Sequence, residues 1–368
     1  MAAYHAAQPV DLIKSEIAAT VAIADQITIS FVINEPKDHA ALFDYTRHSI
    51  TNEYMEDVDV SEIVTGLREN GIDVLVHQGE RAFLSAALSD AWVVRPRPKH
   101  YVFNTTGSGT GRARTSLIPS FCHLAGIGLC SADGYTAAIL ENKFHCFRLL
   151  QGFGFPTPQT WLYDAEQGWI GGVPPAGLKV ICKPNLECSS IGIDDRAVFH
   201  FGNGNAMVVD ALSREFRQPI LVQEFIPGRE VEVPVFPCSS AACLLAVGID
   251  IKGQQDLADQ FLTYDIVGNH SYGFYDFSDY NPTVAQHLMQ TAECAYRSMG
   301  LTGLVRIDYR ISPTGRACIT DVNTPPHLTQ HSSCHFSFSR FGLSHSDLML
   351  MVASVGRIAE YRHTPDQI

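Results

Sequence analysis

Hydrophobic and polar residues alternate in two short runs near the C-terminal end of the chain, at residues 304–311 and 317–322. A Ser-Pro-Thr-Gly segment, typical of a tight turn, lies between them, so the pattern predicts a β-hairpin. Asp308 lies near one strand, Asp321 near the other, and Asn323 follows shortly after. The hairpin therefore gathers oxygen ligands of the kind that Mg²⁺ takes, although acids on a hairpin are more often solvated turn residues.

The first 130 residues alternate between strand-like and helix-like patterns. Strands are predicted at residues 27–33, 71–75 and 101–103, and helices at residues 63–68 and 116–124. This alternation indicates an open, mainly parallel sheet, in which ligands bind at the carboxyl ends of the strands. A Gly-rich loop at residues 104–111 follows the third strand, but it lacks the Gly-Lys-Ser/Thr ending of a Walker loop.

Two lysines mark the middle of the chain. Lys143 lies on a helix predicted at residues 137–150, where the alternative interpretation is a solvated surface lysine. Lys183 lies on a strand predicted at residues 180–184 and precedes a small, hydroxyl-rich loop. An ammonium group followed by backbone N–H groups and serine hydroxyls suits the binding of a triphosphate. Residues 220–233 then predict two strands joined by a Pro-Gly turn.

A long connection precedes the C-terminal hairpin. A strand is predicted at residues 244–251, and a helix at residues 282–299 has Asn281 as its N-cap and Gly300 at its end. The loop between them covers residues 252–280. Loops of this length inside compact domains are usually functional lids or disordered segments.

Composition narrows the class of protein. The chain has 368 residues, of which 46% are hydrophobic and 18% charged, and this length favours two or three modules. The net charge of −13 argues against a nucleic-acid partner but not against a nucleotide, which local cations and a metal ion can hold. The 10 cysteines form no C-x-x-C pair, and the sequence shows neither a signal-peptide pattern nor a membrane span. We expect a cytoplasmic protein with reduced thiols and no membrane partner.

The hairpin region also carries a recognisable signature. The strings R-I-D at residues 306–308, D-V-N-T-P-P at residues 321–326 and L-T-Q-H-S at residues 328–332 resemble the C-terminal signature of the D-alanine–D-alanine ligase group of ATP-grasp enzymes. Further matches occur in the same order around Lys143, at residues 183–192 and at residues 220–233. The chain is therefore identified as a member of that group.

The resemblance implies an α/β fold that is α+β in the ATP-binding part. It is a three-module ATP-grasp architecture: an N-terminal parallel-sheet domain at residues 1–136, a central subdomain at residues 137–222, and a C-terminal subdomain with metal site and lid at residues 223–368. ATP would be held between the last two modules. The group often dimerises through its N-terminal domain, so a homodimer is a further expectation.

The resemblance also implies a function, namely an ADP-forming carboxylate–amine ligase. Such an enzyme forms an amide or dipeptide bond between small amino-acid-like substrates through an acyl phosphate. Two alternatives stay open: a ligase or kinase that acts on a non-amino-acid carboxylate, and a non-catalytic ATP-binding module. The sequence identifies neither substrate, nor the pathway, nor the oligomeric state.

Site residues are carried over from the resemblance position by position. The nucleotide would be bound by Lys143, Lys183, Glu187, Ser189, Ser190, Gln223, Phe225, Ile226 and Glu230. Mg²⁺, with Mn²⁺ as the alternative ion, would be bound by Asp308, Asp321 and Asn323. Catalysis would involve Arg306 as stabiliser of the transferring group, Ser332 as a contact to the second substrate, and His327.

The chain departs from the group's pattern at several of these positions. Cys188 and His327 stand where the group usually has glycine, and Gln223 replaces an acid that faces the adenine. Residues 264–270, which correspond to the lid, contain no lysine for the phosphates. What replaces the lid lysine is left open by the sequence.

Two arginines suggest a hypothesis about the acyl substrate. Arg112 and Arg114 end the Gly-rich loop, and residues 103–130 contain no acidic side chain. Two guanidinium groups would repel an ammonium group and hold a carboxylate. The hypothesis is that the first substrate is not D-alanine but carries an extra negative group. In the alternative interpretation both arginines are solvated residues at the start of a helix.

Overall fold

The computed structural model describes residues 8–36, 44–89, 97–109, 111–202, 204 and 206–362. The helices are α1 (Pro9–Val21), α2 (Asp57–Glu69), α3 (Gly79–Ala87), α4 (Leu117–Leu124), α5 (Gly134–Glu141), α6 (Lys143–Gly152), α7 (Ala206–Phe216), α8 (Tyr264–Gly268), α9 (Pro282–Ser298), α10 (Ser333–Ser339) and α11 (His345–Arg362). The strands are β1 (Ile27–Ile33), β2 (Asp73–Gln78), β3 (Lys99–Asn104), β4 (Gly128–Leu129), β5 (Thr160–Asp164), β6 (Gly168–Ile170), β7 (Lys179–Pro184), β8 (Val198–His200), β9 (Ile220–Glu224), β10 (Arg229–Val235), β11 (Val247–Asp250), β12 (Gly273–Asp276), β13 (Val305–Ile311) and β14 (Ala317–Asn323).

The N-terminal sheet is parallel, with strand order β2-β1-β3-β4. Every residue of β1 is buried, because helices cover both faces of the sheet and leave no polar side to produce an alternating pattern. Phe31 packs into the core that α1, α2 and α11 cover, whereas Val32 packs into the core that α3 and α4 cover. The predicted parallel sheet is confirmed.

Two antiparallel sheets of five strands form the rest of the molecule. The first sheet has the strand order β6-β5-β9-β7-β8 and packs against α7. The second sheet has the strand order β12-β11-β10-β13-β14 and packs against α9. Strands and helices are thus segregated in this part of the chain, as α+β architecture requires. The predicted fold class, α/β with α+β modules, is confirmed.

The exact module boundaries remain a prediction. Strand β9 crosses the expected boundary at residues 222/223 and belongs entirely to the sheet of the central module. Helix α11, at the C-terminal end of the chain, packs against α1 and α2 of the N-terminal part. The last helix therefore helps to cover the first sheet.

The helix predicted at residues 137–150 is two helices. Helix α5 ends at Glu141 and α6 begins at Lys143, with Asn142 between them in an extended conformation. The Asn142 side chain accepts a hydrogen bond from the backbone N–H of His145 and so caps α6. Lys143 is consequently the first residue of a helix and does not lie on an exposed helical face.

Two connections differ from the sequence-based expectation. Strands β9 and β10, on either side of the Pro-Gly turn, do not pair with each other but belong to different sheets. The connection at residues 252–280 contains α8, β12 and a short 3-10 turn. No helix among the described residues is long and apolar enough to cross a membrane.

Candidate active site

A cavity of about 520 Å³ lies where the three sheets meet. Residues of all three modules line it, including the loop after β3, the end of β9 and the hairpin β13–β14. The predicted site residues that line it are Lys183, Ser189, Ser190, Gln223, Phe225, Ile226, Glu230, Arg306, Asp308, Asp321, Asn323 and His327. The structure thus gathers the residues predicted from separate motifs around a single space.

The hairpin places its two acids side by side. Asp308 of β13 and Asp321 of β14 are directly opposite each other in the register, followed by a bulge. Arg306 donates to both carboxylate oxygens of Asp308, at 2.7 and 2.8 Å, and Asn323 Nδ2 donates to Asp308 Oδ2 at 2.8 Å. Burial raises the pKa of Asp308 to about 7, although Arg306 favours its charged form.

Asp321 is held by a lysine from a distant part of the chain. Lys143 Nζ lies 2.9 Å from Asp321 Oδ1 and 2.8 Å from Oδ2. Burial opposes the ionisation of Asp321, but Lys143 and Lys183 outweigh it, so the pKa of this carboxyl is lowered. Lys143 is buried and does not line the cavity, so its direct contact is with the acid.

The donor set of the hairpin suits a hard cation. Its members are two carboxylates and an amide, and the part of the chain that the structure describes contains no cluster of three or more His, Cys, Asp or Glu residues arranged to hold a metal. Mg²⁺ binds through one or two carboxylates and takes its other ligands from water and phosphates. Each acid already neutralises a cationic side chain, so a cation bound here would compete with Arg306 and Lys143 for them.

The loop after β7 has an unusual backbone. Ser189 and Ser190 have φ angles of 49° and 54°, in the left-handed region that residues other than glycine rarely adopt. Cys188, which stands where the group usually has glycine, is not among the positive-φ residues. Lys183 donates to the carbonyl of Thr320 at 3.2 Å, and burial lowers the pKa of its ammonium group.

The end of β9 forms the opposite wall of the cavity. Gln223 is 1% exposed, and its Nε2 has no hydrogen-bond partner among the described residues. Phe225 contacts Phe261 edge to face, with ring centroids 5.9 Å apart. Glu230 pairs with Arg310 at 3.1 Å. A buried, unpaired amide donor indicates space for a ligand with a hydrogen-bond acceptor.

Like Lys143, two further predicted site residues, Glu187 and Ser332, do not line the cavity. Glu187 is buried and accepts from the Tyr45 hydroxyl at 2.5 Å and from Gln218 Nε2 at 2.7 Å. Ser332 caps α10, because its hydroxyl accepts a hydrogen bond from the backbone N–H of His335 at 3.1 Å, and the same hydroxyl donates to the Thr329 carbonyl at 2.6 Å. Neither side chain lines the cavity, so in this structure both have structural partners in place of a ligand.

The structure contradicts the interpretation of Arg114 as a substrate-binding residue. Its guanidinium is 4% exposed and pairs with Glu53, Glu141 and Glu187 at distances of 2.9, 3.3 and 3.0 Å. Arg112 is exposed, and neither arginine lines the cavity. The acids that neutralise Arg114 come from outside residues 103–130, and for that reason the local sequence appeared uniformly positive. The predicted preference for an extra negative group therefore loses its structural basis.

Comparisons with known proteins agree with this geometry. Residues 171–353 match the family model described as "D-ala D-ala ligase C-terminus". The D-alanine–D-alanine ligase of Bordetella petrii is 28% identical over 235 residues, which cover 63% of this chain and 68% of that protein. The ligase of Neisseria meningitidis serogroup A is 23% identical over 298 residues, covering 80% of this chain and 91% of that protein. The chain belongs to the D-alanine–D-alanine ligase-like group of the ATP-grasp superfamily. The protein is an ADP-forming ligase of the ATP-grasp type.

Solved structures of the group share the fold. D-alanine–D-alanine ligase from Bacillus anthracis, complexed with ATP, matches with a TM-score of 0.62 and 13% identity, over 92% of this chain and 99% of that chain. VanG D-Ala:D-Ser ligase from Enterococcus faecalis matches with a TM-score of 0.62 and 16% identity, over 90% and 99%. The ATP-grasp architecture therefore extends over nearly the whole chain.

Several residues that line the cavity of this ATP-grasp ligase were not identified as site residues from the sequence. They are Glu53, Glu56, Asp59, His270 and Tyr272. The first three lie in or just before α2, where Asp59 accepts from the backbone N–H of Glu56. An acidic residue three positions after an acidic N-cap marks the start of a helix, so this signal could have located the segment but not its position beside the cavity.

His327 lies beside the imidazole of His270 in the ligase cavity. Its ring centroid is 6.2 Å from that of His270, and its Nε2 is buried without a partner in the described part of the chain. Burial, assisted by His270 and Arg306, lowers the pKa of His327 to about 4. His327 is therefore neutral at physiological pH. A neutral imidazole can accept or donate a hydrogen bond but adds no charge to the site.

We expect His327 to make the ligase less stable in acid. An unfolded histidine has a pKa near 6.5, so protonation favours the unfolded chain as the pH falls from about 6.5 to 4, by up to about 3 kcal/mol. His327→Gln should remove this part of the acid sensitivity. Urea unfolding at pH 7.5 and 4.5 measures it, with His287→Gln on the exposed face of α9 as control. Equal pH dependence in both variants would contradict the expectation.

Proposed function

We propose that this enzyme joins two small amino-acid-like substrates into an amide or dipeptide, with ATP converted to ADP and phosphate through an acyl phosphate. One observation carries the proposal: the end of β9, the loop after β7 and the hairpin β13–β14 all line one cavity. A nucleotide and a carboxylate substrate could thus meet at the hairpin. Relatives named D-alanine–D-alanine ligase support amino acids as the substrate class.

The nucleotide would lie between β9 and the loop after β7. The unpaired Gln223 amide donor suits an adenine ring nitrogen, and Glu230 suits the ribose hydroxyls. Lys183 and the backbone N–H groups around Ser189 and Ser190 would hold the phosphates. Lys143 would act through Asp321, with which it pairs directly.

The hairpin would neutralise the charge that develops during phosphoryl transfer. Asp308, Asp321 and Asn323 would hold Mg²⁺, or Mn²⁺, which supplies charge neutralisation and orientation of the phosphates when bound. Arg306, once released from part of its pairing with Asp308, would contact the transferring group and the oxyanion of the attacked carboxyl. His327 would place a neutral imidazole beside the incoming amine.

The segment at residues 264–272 would limit water access to this site. Tyr264 at the start of α8 accepts a hydrogen bond from the backbone N–H of Ser49 at 3.1 Å, and Gly268, His270 and Tyr272 line the cavity. A cover of this kind protects an acyl phosphate from hydrolysis. The cytoplasmic location and the homodimer stay predictions.

The proposal is tested by ADP release in the presence of ATP, Mg²⁺ and a panel of D- and L-amino acids, supplied singly and in pairs. Mass spectrometry of the products identifies any amide. We expect amino-acid-dependent ADP release and a product whose mass equals that of two substrates less one water. Nucleotide binding without turnover on any amino acid would contradict the proposed reaction.

Lys183→Ala is expected to weaken nucleotide binding by roughly 1.5–3 kcal/mol, the range for a hydrogen bond to a charged group. Lys183 lines the cavity, whereas Lys179, four residues earlier on the same strand, pairs with Asp259 at 2.7 Å outside it. Calorimetric titration with ADP and Mg²⁺ measures the difference, and Lys179→Ala is the matched control. Equal affinities for the two variants would count against the phosphate role of Lys183.

A further inference from the structure

Arg114 lies where three separate parts of the chain meet. Glu53 precedes α2, Glu141 ends α5 and Glu187 follows β7, and all three carboxylates pair with this one guanidinium. Arg114 Nη2 contacts both Glu53 and Glu187 while Nε faces Glu141. A planar guanidinium can meet several carboxylates at fixed angles, and an ammonium group cannot reproduce that arrangement.

The same cluster holds the backbone of the loop after β7. Arg114 Nη2 donates to the carbonyl of Leu186 at 3.2 Å, and Glu53 accepts from the backbone N–H of Cys188 at 2.6 Å. The Asn52 side chain, next to Glu53, donates to the carbonyl of Ser189 at 3.1 Å. The loop is therefore fixed on both sides of Glu187 by Arg114 and by the segment that carries its partner Glu53.

This loop needs outside support to keep its conformation. Ser189 and Ser190 both have positive φ angles, which cost free energy for residues other than glycine and persist only where the surroundings hold them. Both serines line the cavity. Without Arg114, two buried carboxylates and the partly buried carboxylate of Glu53 would repel one another, and the anchors of the loop would separate. The backbone N–H groups at residues 188–190 would then leave their positions at the cavity.

We propose that Arg114 is a positioning residue for the nucleotide: it acts through Glu53 and Glu187 to fix the phosphate-facing loop. The inference rests on the proposed function, because it assumes that this loop faces the phosphates. In this inference Arg114 supports the binding of the nucleotide and does not contact the amino-acid substrate. Loss of the guanidinium should impair the binding of ATP and leave the apparent KM for the amino acids much less affected.

The decisive variants are Arg114→Met and Arg114→Lys. We expect Arg114→Met to raise the Kd for ADP with Mg²⁺ and the KM for ATP at least about tenfold, the loss expected when charged hydrogen bonds are removed. Arg114→Lys keeps the charge but not the fork, so its effect should be smaller, about three- to tenfold. For both, the amino-acid KM should change less than about threefold. Glu187→Gln, which keeps its shape but loses its charge, should change the same two nucleotide parameters in the same direction.

Two arginines serve as controls. Arg112→Met removes a guanidinium two residues away that is exposed, and should leave the KM for ATP unchanged. Arg214→Met removes an exposed arginine of α7 that pairs with Asp210 in its own helix, and should leave all kinetic parameters unchanged. Thermal unfolding of every variant shows which ones are folded at the assay temperature.

The outcomes separate this inference from the proposed function. If the unmodified enzyme binds neither ADP nor ATP, the proposed function fails. If it binds nucleotide and the folded Arg114 variants bind it equally well, the positioning role is wrong. A rise in the amino-acid KM with an unchanged KM for ATP would also overturn it and restore the substrate-binding interpretation. If Arg114→Met does not fold, the same comparison is made with Arg114→Lys and Glu187→Gln.

Discussion

Asp321→Asn is expected to keep the fold and to lower the rate of ADP release at least about a hundredfold. Asp321 lies directly opposite Asp308, and Lys143 and Lys183 favour its charged form. The substitution removes one of two anionic ligands from the proposed metal site. The amide oxygen of asparagine can still accept from Lys143, so the buried lysine keeps a partner. ADP release at saturating ATP and amino acids, measured across a Mg²⁺ titration, tests the expectation.

The control for this substitution is Asp194→Asn. Asp194 is also a carboxylate paired with a cationic side chain, Arg196, but it lies outside the cavity lining. Asp194→Asn should release ADP at the normal rate. That result would show that the loss of one negative charge is not enough to lower the rate. Near-normal turnover of Asp321→Asn at saturating Mg²⁺ would contradict the metal assignment. Thermal unfolding of both variants distinguishes a lost ligand from a lost fold.

Local patterns predicted those parts of the fold that local physics determines. Helix α9 begins at Pro282 after its Asn281 cap and ends one residue from the predicted end. The hairpin strands β13 and β14 differ from the predicted runs by a residue each. Capping, proline placement and period-two alternation act over a few residues, so they can be read directly from the sequence. The family signature then supplied the order of the modules.

Contacts between distant residues could not be read in this way. Asn142 ends one helix and caps the next, but its place in an apolar periodic segment looks like that of any polar surface residue. The partner of Lys143 is 178 residues away, and Glu187 is 73 residues from Arg114. A pattern window of about a dozen residues contains neither pair. For that reason the sequence suggested that Arg114 was available to bind a substrate, although it pairs with three carboxylates of the protein.

The family motif predicted which residues line the cavity better than it predicted which groups their side chains contact. Arg306, Asp308, Asp321 and Asn323 line the cavity as the motif implied. Ser332 lies in the same signature, yet its hydroxyl caps α10 and donates to a backbone carbonyl. Strands fix the direction of their side chains by alternation, whereas a residue in the turn before a helix can point toward the helix or the site. The hairpin residues were therefore the more secure part of the prediction.

Arg306→Lys is expected to lower kcat at least about a hundredfold while the KM for ATP changes much less. Arg306 contacts both oxygens of Asp308 and lies 3.5 Å from Glu232, and the two acids raise its pKa despite burial. Lysine keeps the positive charge but offers no planar fork, so it cannot hold Asp308 and two oxygens of a reacting group together.

The matched control is Arg214→Lys, because Arg214 also meets both oxygens of a carboxylate, at 2.8 and 3.2 Å, but on the exposed face of α7. There the same loss of a fork should cost little stability, because solvent screens an exposed ion pair, and should leave turnover unchanged. Rates of ADP release at saturating substrates, with nucleotide affinity from calorimetry, separate the two effects. A kcat within about threefold of the unmodified enzyme would show that charge alone suffices. In that case Arg306 would hold Asp308 in place for the metal and would not contact the transferring group.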